Sequence, residues 1–147
     1  MTGATGFCYF AYGSNMETAP MAERCPQAIL LEIAVLSGYR FLINRIGDAT
    51  VVPDPAASVH GVLWRISHAD ELALDQYEEL SLGLYDKTQT TVRSGAGVLR
   101  TAMIYLARDA QPGRPTLPYM QGILRAAREH GFPEAYLREL QQWMPGH

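Results

Sequence analysis

The sequence predicts an α+β fold: a small mixed or antiparallel β-barrel with short helices packed around it. Three observations lead there. Six or seven strand-like segments fill the first two thirds of the chain, and short links join consecutive ones. About four short helical segments are interspersed or follow. Strands with short links favour antiparallel neighbours, and a sheet with one buried face packs helices against it.

Residues 1–6 are small and are expected to be loose. Phe7 to Ala11 reads as the first strand, since aromatic residues suit a pleated, half-buried surface. It stops at Gly13-Ser14-Asn15, residue types that accept unusual dihedrals and bond to their own backbone in turns. A short helix follows over Glu17 to Glu23, and Arg24-Cys25-Pro26 ends it. The branched apolar run Ala28 to Leu36 and the segment Tyr39 to Asn44 read as two strand segments around a bend or bulge at Ser37-Gly38. Ile46 to Ser58, with Gly47, Asp48, Pro53, Asp54 and Pro55, reads as a loop, with a short strand at Thr50 to Val52.

Val59 to Ile66 is a strong strand. Ser67 is placed as the N-cap of the next helix, with Asp70 completing a capping box. That helix carries Ala69, Leu72, Ala73 and Tyr77 at helical spacing and ends near Tyr77 to Glu79. Tyr85 to Arg93 and Val98 to Ala107 form a hairpin around Ser94-Gly95-Ala96-Gly97. Two helices close the chain, one from Pro118 to Gly131 and one from Pro133, in the usual arrangement of proline at the start and glycine past the end. The whole, residues 1–147, reads as a single domain.

Composition excludes several function classes. The net charge of −3 gives no basic field for nucleic acid. Lys87 is the one lysine, and arginine supplies the other 11 of the 12 cations. Two cysteines, Cys8 and Cys25, form no C-x-x-C pair and no disulfide scaffold, and no zinc pattern is present. No apolar run reaches the ~18 residues of a membrane span, and the N-terminus lacks the features of a signal peptide. The expectation is a soluble cytoplasmic protein with no metal or other cofactor, no nucleic-acid partner and no membrane partner. A homodimer is left open.

Two features could carry chemistry. A strand, a Gly-Ser-Asn turn and a helix start gather free backbone N–H groups in a small volume, which can receive an anion or oxyanion. It can equally be an ordinary connection. The second is Glu78, at the negative pole of its helix, beside Glu79 and among Leu74, Tyr77, Leu80 and Leu82. Dipole, like charge and partial burial all raise a carboxyl's pKa toward the range of a general base or acid. A solvated acidic helix end is the plainer alternative. His60, His68 and His130 read as packing, exposed and helix-terminal residues. Cys8 reads as core, Cys25 has no activating base, and Ser14 has neither a nucleophile elbow nor a His/Asp pair.

Taken together these residues resemble one family. Tyr9-Phe10-Ala11-Tyr12-Gly13-Ser14-Asn15-Met16 is similar to the Y-F-A-Y-G-S-N-(L/M) signature of the γ-glutamylcyclotransferases, a superfamily that includes AIG2-like proteins. Arg24-Cys25-Pro26-Gln27-Ala28, Gly61-Val62-Leu63-Trp64, Leu74-Asp75-Gln76-Tyr77-Glu78, Gly83-Leu84-Tyr85, Pro118-Tyr119 and Gly131-Phe132-Pro133 with Tyr136 resemble further family stretches, in order. Glu79 and the loop acids Asp48 and Asp54 depart from the pattern or decorate it.

The resemblance implies a cyclotransferase that releases an amino acid or amine from a γ-glutamyl compound, leaving 5-oxoproline. It implies a small-molecule γ-glutamyl substrate, no cofactor and no covalent intermediate. Glu78 matches the family's catalytic glutamate. Tyr12, Gly13, Ser14 and Asn15 would bind substrate and oxyanion, and Tyr85 and Tyr119 match family tyrosines near the site. The turn and Glu78 should then face each other across one pocket. A non-catalytic module binding a small ligand in the same pocket is the alternative.

Overall fold

A computed structural model describes residues 6–146. Of the N-terminal stretch expected to be loose, residues 1–5 lie outside the described residues. Five strands close into a barrel in the order β1-β3-β2-β4-β5: β1 (Phe7–Ala11), β2 (Ile29–Ile43), β3 (Ala49–Ile66), β4 (Tyr85–Ser94) and β5 (Leu99–Ala107). Four α-helices pack outside: α1 (Thr18–Arg24), α2 (His68–Tyr77), α3 (Leu117–Glu129) and α4 (Glu134–Gln141). Short 3₁₀ turns lie at Ser14–Met16 and Leu80–Leu82.

The barrel closes through β1. It runs antiparallel to β3 from Phe7↔Ile66 to Ala11↔Val62, and parallel to β5 at Tyr9↔Met103. On the other side β2 meets β4 at Ala34↔Ser94 and Val35↔Arg93, which completes the ring. Gly61 makes the β1–β3 approach feasible, because a Cβ there would stand 2.6 Å from Phe10 Cζ. Buried side chains from both faces of β5, Ala102 to Tyr105, mark a strand covered on both sides. Helix α3 covers the barrel with Met120, Ile123, Leu124, Ala126 and Ala127, and α4 adds Tyr136 and Leu140.

The strand count corrects two expectations. The segments expected at Ala28–Leu36 and Tyr39–Asn44 form one strand, β2, with the expected bulge at the Ser37/Tyr39 register shift and a second shift at Leu30/Glu32. The Ile46–Ser58 loop is mostly strand, the first half of the 18-residue β3. The prolines are accommodated because the ladder jumps from Ser37↔Ser58 to Tyr39↔Pro53. Residues 54–57 thus bulge out opposite Gly38, whose φ of 85° suits glycine. Pro55 falls in the unpaired stretch and Pro53 at its margin, where a missing N–H donor is tolerated.

At the tip of the β2–β3 hairpin, Asn44 Oδ1 accepts from the N–H groups of Ile46 and Asp48, both at 3.1 Å. Asn44 Nδ2 donates to the Asp109 carbonyl at 3.0 Å. This buried asparagine fixes where Asp48 and Ala49 emerge.

Helix α2 begins with the expected capping box: Asp70 N–H donates to Ser67 Oγ and Ser67 N–H to Asp70 Oδ2, each at 3.1 Å. Such a cap contributes ~1 kcal/mol. Lys87 on β4 reaches Glu71 at 2.6 Å and Asp75 at 2.9 Å, and Tyr105 Oη on β5 donates to Asp75 at 2.7 Å. These bonds tie α2 to the barrel wall. The helix ends at Glu78, and Glu79 follows in the left-handed region at φ 54°.

Candidate active site

Strand β1 hands the chain to the Gly13-Ser14-Asn15 turn at one mouth of the barrel. Within the turn, Met16 N–H donates to the Gly13 carbonyl at 3.0 Å and Glu17 N–H to the Ser14 carbonyl at 3.1 Å. None of these bonds uses the N–H groups of Gly13, Ser14 or Asn15. The first residues of a helical turn have no preceding carbonyl to bond.

A cavity of about 30 Å³ sits against this turn, lined by Tyr12, Gly13, Ser14, Asn15, Glu78, Tyr85 and Tyr119, together with Tyr9, Ala49 and Tyr105. All the residues singled out from the sequence therefore border one space. It shares Ser14, Glu78, Tyr85 and Tyr119 with an outer chamber of about 220 Å³, where Asp48, Tyr77 and Glu79 join the lining.

The side chains do not play equivalent parts. Asn15 is buried and its amide is already engaged: Nδ2 donates to Tyr9 Oη at 3.0 Å, and Oδ1 accepts from Arg24 Nη1. Its carbonyl accepts from Trp64 Nε1 at 3.0 Å. The Asn15 side chain is thus committed to holding the turn. Tyr12 Oη donates to the Tyr105 carbonyl at 2.6 Å and so braces β1 against β5.

Tyr85 and Tyr119 share a partner. Tyr85 Oη donates to the Ala49 carbonyl at 2.7 Å, and Tyr119 Oη accepts from the Ala49 N–H at 3.0 Å. Because the amide supplies the hydrogen to Tyr119, the Tyr119 hydroxyl hydrogen is left to donate elsewhere. Tyr85 has spent its hydrogen and can only accept. Burial pushes both phenols well above their ordinary values, so both stay protonated.

Glu78 is partly buried, and among the described residues none donates a hydrogen bond to its carboxylate. Its pKa is raised to about 7, first by burial, then by the charge of Asp48. Arg24 opposes the shift, and Glu79 adds to it. The sequence pointed to burial and Glu79. The larger neighbour, Asp48, was out of reach because 30 residues separate it from Glu78. Asp48 is itself raised by burial and by Glu79.

Sequence reasoning gave no site role to Tyr9, Tyr105, Ala49 or Arg24, although Tyr9 and Arg24 stand in the stretches that carry the resemblance. The two tyrosines had a signal: a hydroxyl on an otherwise apolar strand must find a polar partner once buried. Among the described residues no group of three or more His, Cys, Asp or Glu is arranged to hold a metal ion. No helix among them is long and apolar enough to cross a membrane.

Known proteins share this fold. The AIG2-like family profile matches residues 58–140. The chain is 29% identical to a mouse (Mus musculus) protein named γ-glutamylcyclotransferase, over 95% of this chain and 79% of that protein. It is 28% identical to the human (Homo sapiens) protein of the same name, with the same coverage. A solved structure titled γ-glutamyl cyclotransferase superposes with a TM-score of 0.88 at 28% identity, covering 96% of this chain and 89% of that one. With its five-stranded barrel and more than half of its length within the family profile, the chain belongs to the AIG2-like family of the γ-glutamylcyclotransferase superfamily.

Proposed function

We propose that this protein is a cyclotransferase that cleaves a γ-glutamyl amino acid or γ-glutamyl amine and releases 5-oxoproline. The observation that carries the reading is Glu78: a partly buried carboxyl with a pKa near 7, bordering the same cavity as the Gly13–Asn15 turn. The relatives named γ-glutamylcyclotransferase support it.

The chemistry follows from the substrate's own geometry. The α-amine lies at the right distance along the glutamyl chain to attack the γ-carbonyl and close a five-membered ring. Because the attack is intramolecular, much of its entropic cost is already met. The amine arrives as an ammonium and must first lose a proton. A carboxylate with a pKa near 7 is half ionised at neutral pH and is a stronger base than an ordinary glutamate. Glu78 takes that proton, the nitrogen attacks, and the γ-carbonyl oxygen becomes an oxyanion. The free N–H groups of the turn and the Tyr119 hydroxyl receive that charge. One such donor is typically worth ~3 kcal/mol. The tetrahedral intermediate collapses as Glu78 returns the proton to the leaving nitrogen, and the extra proton on the ring nitrogen passes to the departing amine, which leaves as an ammonium. The carbon–nitrogen bond breaks, and the amine and 5-oxoproline depart with Glu78 ionised again.

The test is a panel of γ-glutamyl amino acids, γ-glutamyl amines and γ-glutamyl-lysine, assayed for 5-oxoproline. Turnover of at least one member is expected, and Glu78→Gln should lower it by ~10²–10⁴ with the fold intact. Tight binding of the panel without turnover would make the protein a binding module instead. Activity that survives Glu78→Gln would remove Glu78 from the mechanism.

A further inference from the structure

Arg24, the residue that ends α1, has no part in the proton transfers above, yet it touches both halves of the cavity wall. Its Nη1 donates to Asn15 Oδ1 in the turn. Its Cζ lies 3.6 Å from the centre of the Tyr77 ring, at the end of α2 next to Glu78. Tyr77 Oη in turn lies 3.0 Å from Ser14 Oγ. Arg24, Asn15, Ser14 and Tyr77 thereby form a clasp between two segments that are some 60 residues apart.

A guanidinium suits this position for a physical reason. It is flat, so one face can stack on an aromatic ring while an in-plane N–H meets an amide oxygen. A lysine ammonium in the same place would keep the charge and lose that two-sided geometry.

We propose that Arg24 is a positioning residue for the cyclisation: it locks the Ser14–Asn15 turn to the end of α2 that carries Glu78 and holds a positive charge beside that carboxyl. This rests on the cyclotransferase reading, in which Glu78 is the base.

The surroundings of Glu78 make the charge consequential. Two carboxyls face it, Asp48 from the β2–β3 hairpin and the adjacent Glu79, and both disfavour its ionisation. The other titratable neighbours are the phenols of Tyr9 and Tyr12 on β1, Tyr77 on α2, Tyr85 on β4, Tyr105 on β5 and Tyr119 on α3. Phenols are neutral at the pH where Glu78 titrates. Arg24 is the cation that opposes Asp48 and Glu79.

The experiment compares Arg24→Met and Arg24→Lys with the unaltered full-length chain. Two quantities are read: kcat and KM on whichever γ-glutamyl substrate the unaltered protein turns over, and the Glu78 carboxyl titration by ¹³C NMR, assigned with Glu78→Gln. Arg24→Met should raise the Glu78 titration by about one pH unit. It should also lower kcat by tenfold or more with a smaller change in KM, because the turn and the base lose their alignment. Arg24→Lys should keep the titration near its original midpoint while kcat stays depressed.

A folded Arg24→Met protein with unchanged titration and unchanged kcat overturns the proposal. So does an Arg24→Lys protein whose Glu78 titration moves as far as that of Arg24→Met. If Arg24→Met does not fold, the Arg24→Lys protein decides: kcat equal to the original would overturn the clasp. If the unaltered protein makes no 5-oxoproline, the cyclotransferase reading fails, and the NMR titration still decides the effect of Arg24 on Glu78.

Discussion

Tyr85 donates its hydroxyl to the Ala49 carbonyl at 2.7 Å, while Tyr119 takes the N–H of the same residue at 3.0 Å. The two phenols are therefore chemically distinct, although each looks like one more tyrosine in the sequence. Tyr119 retains a hydrogen for the cavity, and Tyr85 does not. Tyr85→Phe and Tyr119→Phe should each destabilise the fold by ~1–2 kcal/mol, since each strands a backbone group of buried Ala49. Only Tyr119→Phe should also remove a donor to the oxyanion, with a further loss in kcat/KM of roughly tenfold or more. Denaturant unfolding and steady-state kinetics on both variants separate the two effects. Equal kinetic losses would contradict the assignment.

The raised pKa of Glu78 sets the pH dependence of both activity and stability. For activity, the base must be ionised, so kcat/KM should rise with pH through about 7 and level off above it. For stability the sign is opposite. The folded protein binds the Glu78 proton more tightly than the unfolded chain does, so stability falls as pH rises from about 4.5 to about 7. Glu78→Gln removes this dependence. It should melt higher than the unaltered protein at pH 8, by an amount on the order of 1–3 kcal/mol, with the difference shrinking toward pH 4.5. Thermal melts across that range read the result directly, and a variant less stable at pH 8 would contradict it.

Gly13 leaves room that a side chain would take. A Cβ there would stand 3.3 Å from the Ala49 Cβ and 3.8 Å from Tyr119 Oη, against the small inner cavity. Gly13→Ala should therefore raise KM and lower kcat/KM by at least tenfold, because a shift on the order of 1 Å at a reacting centre is already costly. The stability loss should be small by comparison. A variant with unaltered kinetics would mean that substrate does not approach Gly13.

Glu79 holds a left-handed conformation at φ 54°, the one non-glycine residue with positive φ among those described. That turn lets α2 end at Glu78. Asparagine adopts this conformation more readily than glutamate and carries no charge. Glu79→Asn should leave the protein as stable or stabilise it by up to ~1 kcal/mol. It should also move the acidic limb of the activity profile to lower pH, because a like charge near Glu78 is gone. A limb that moves up instead would contradict this account.

The sequence by itself determined the parts whose chemistry is local. The β1 strand and its Gly-Ser-Asn turn, the Ser67–Asp70 capping box and the β4–β5 hairpin around Gly95 and Gly97 were all legible, because each depends on a few neighbouring residues. The barrel class followed from counting such strands and their short links, and Glu78 stood out as a candidate at a helix end that could be read in one window, its proposed role coming from the family resemblance. The tertiary structure decided what depends on distant partners. Pro53 and Pro55 look like loop residues until the opposing strand, with Gly38, supplies a register shift that absorbs them. The approach of Asp48 to Glu78, the clasp of Arg24 on Asn15 and Tyr77, and the division of labour between Tyr85 and Tyr119 arise only when the barrel closes. The physical reason is range: dihedral preference and capping act over a few residues along the chain, whereas burial, charge and hydrogen bonding act through space.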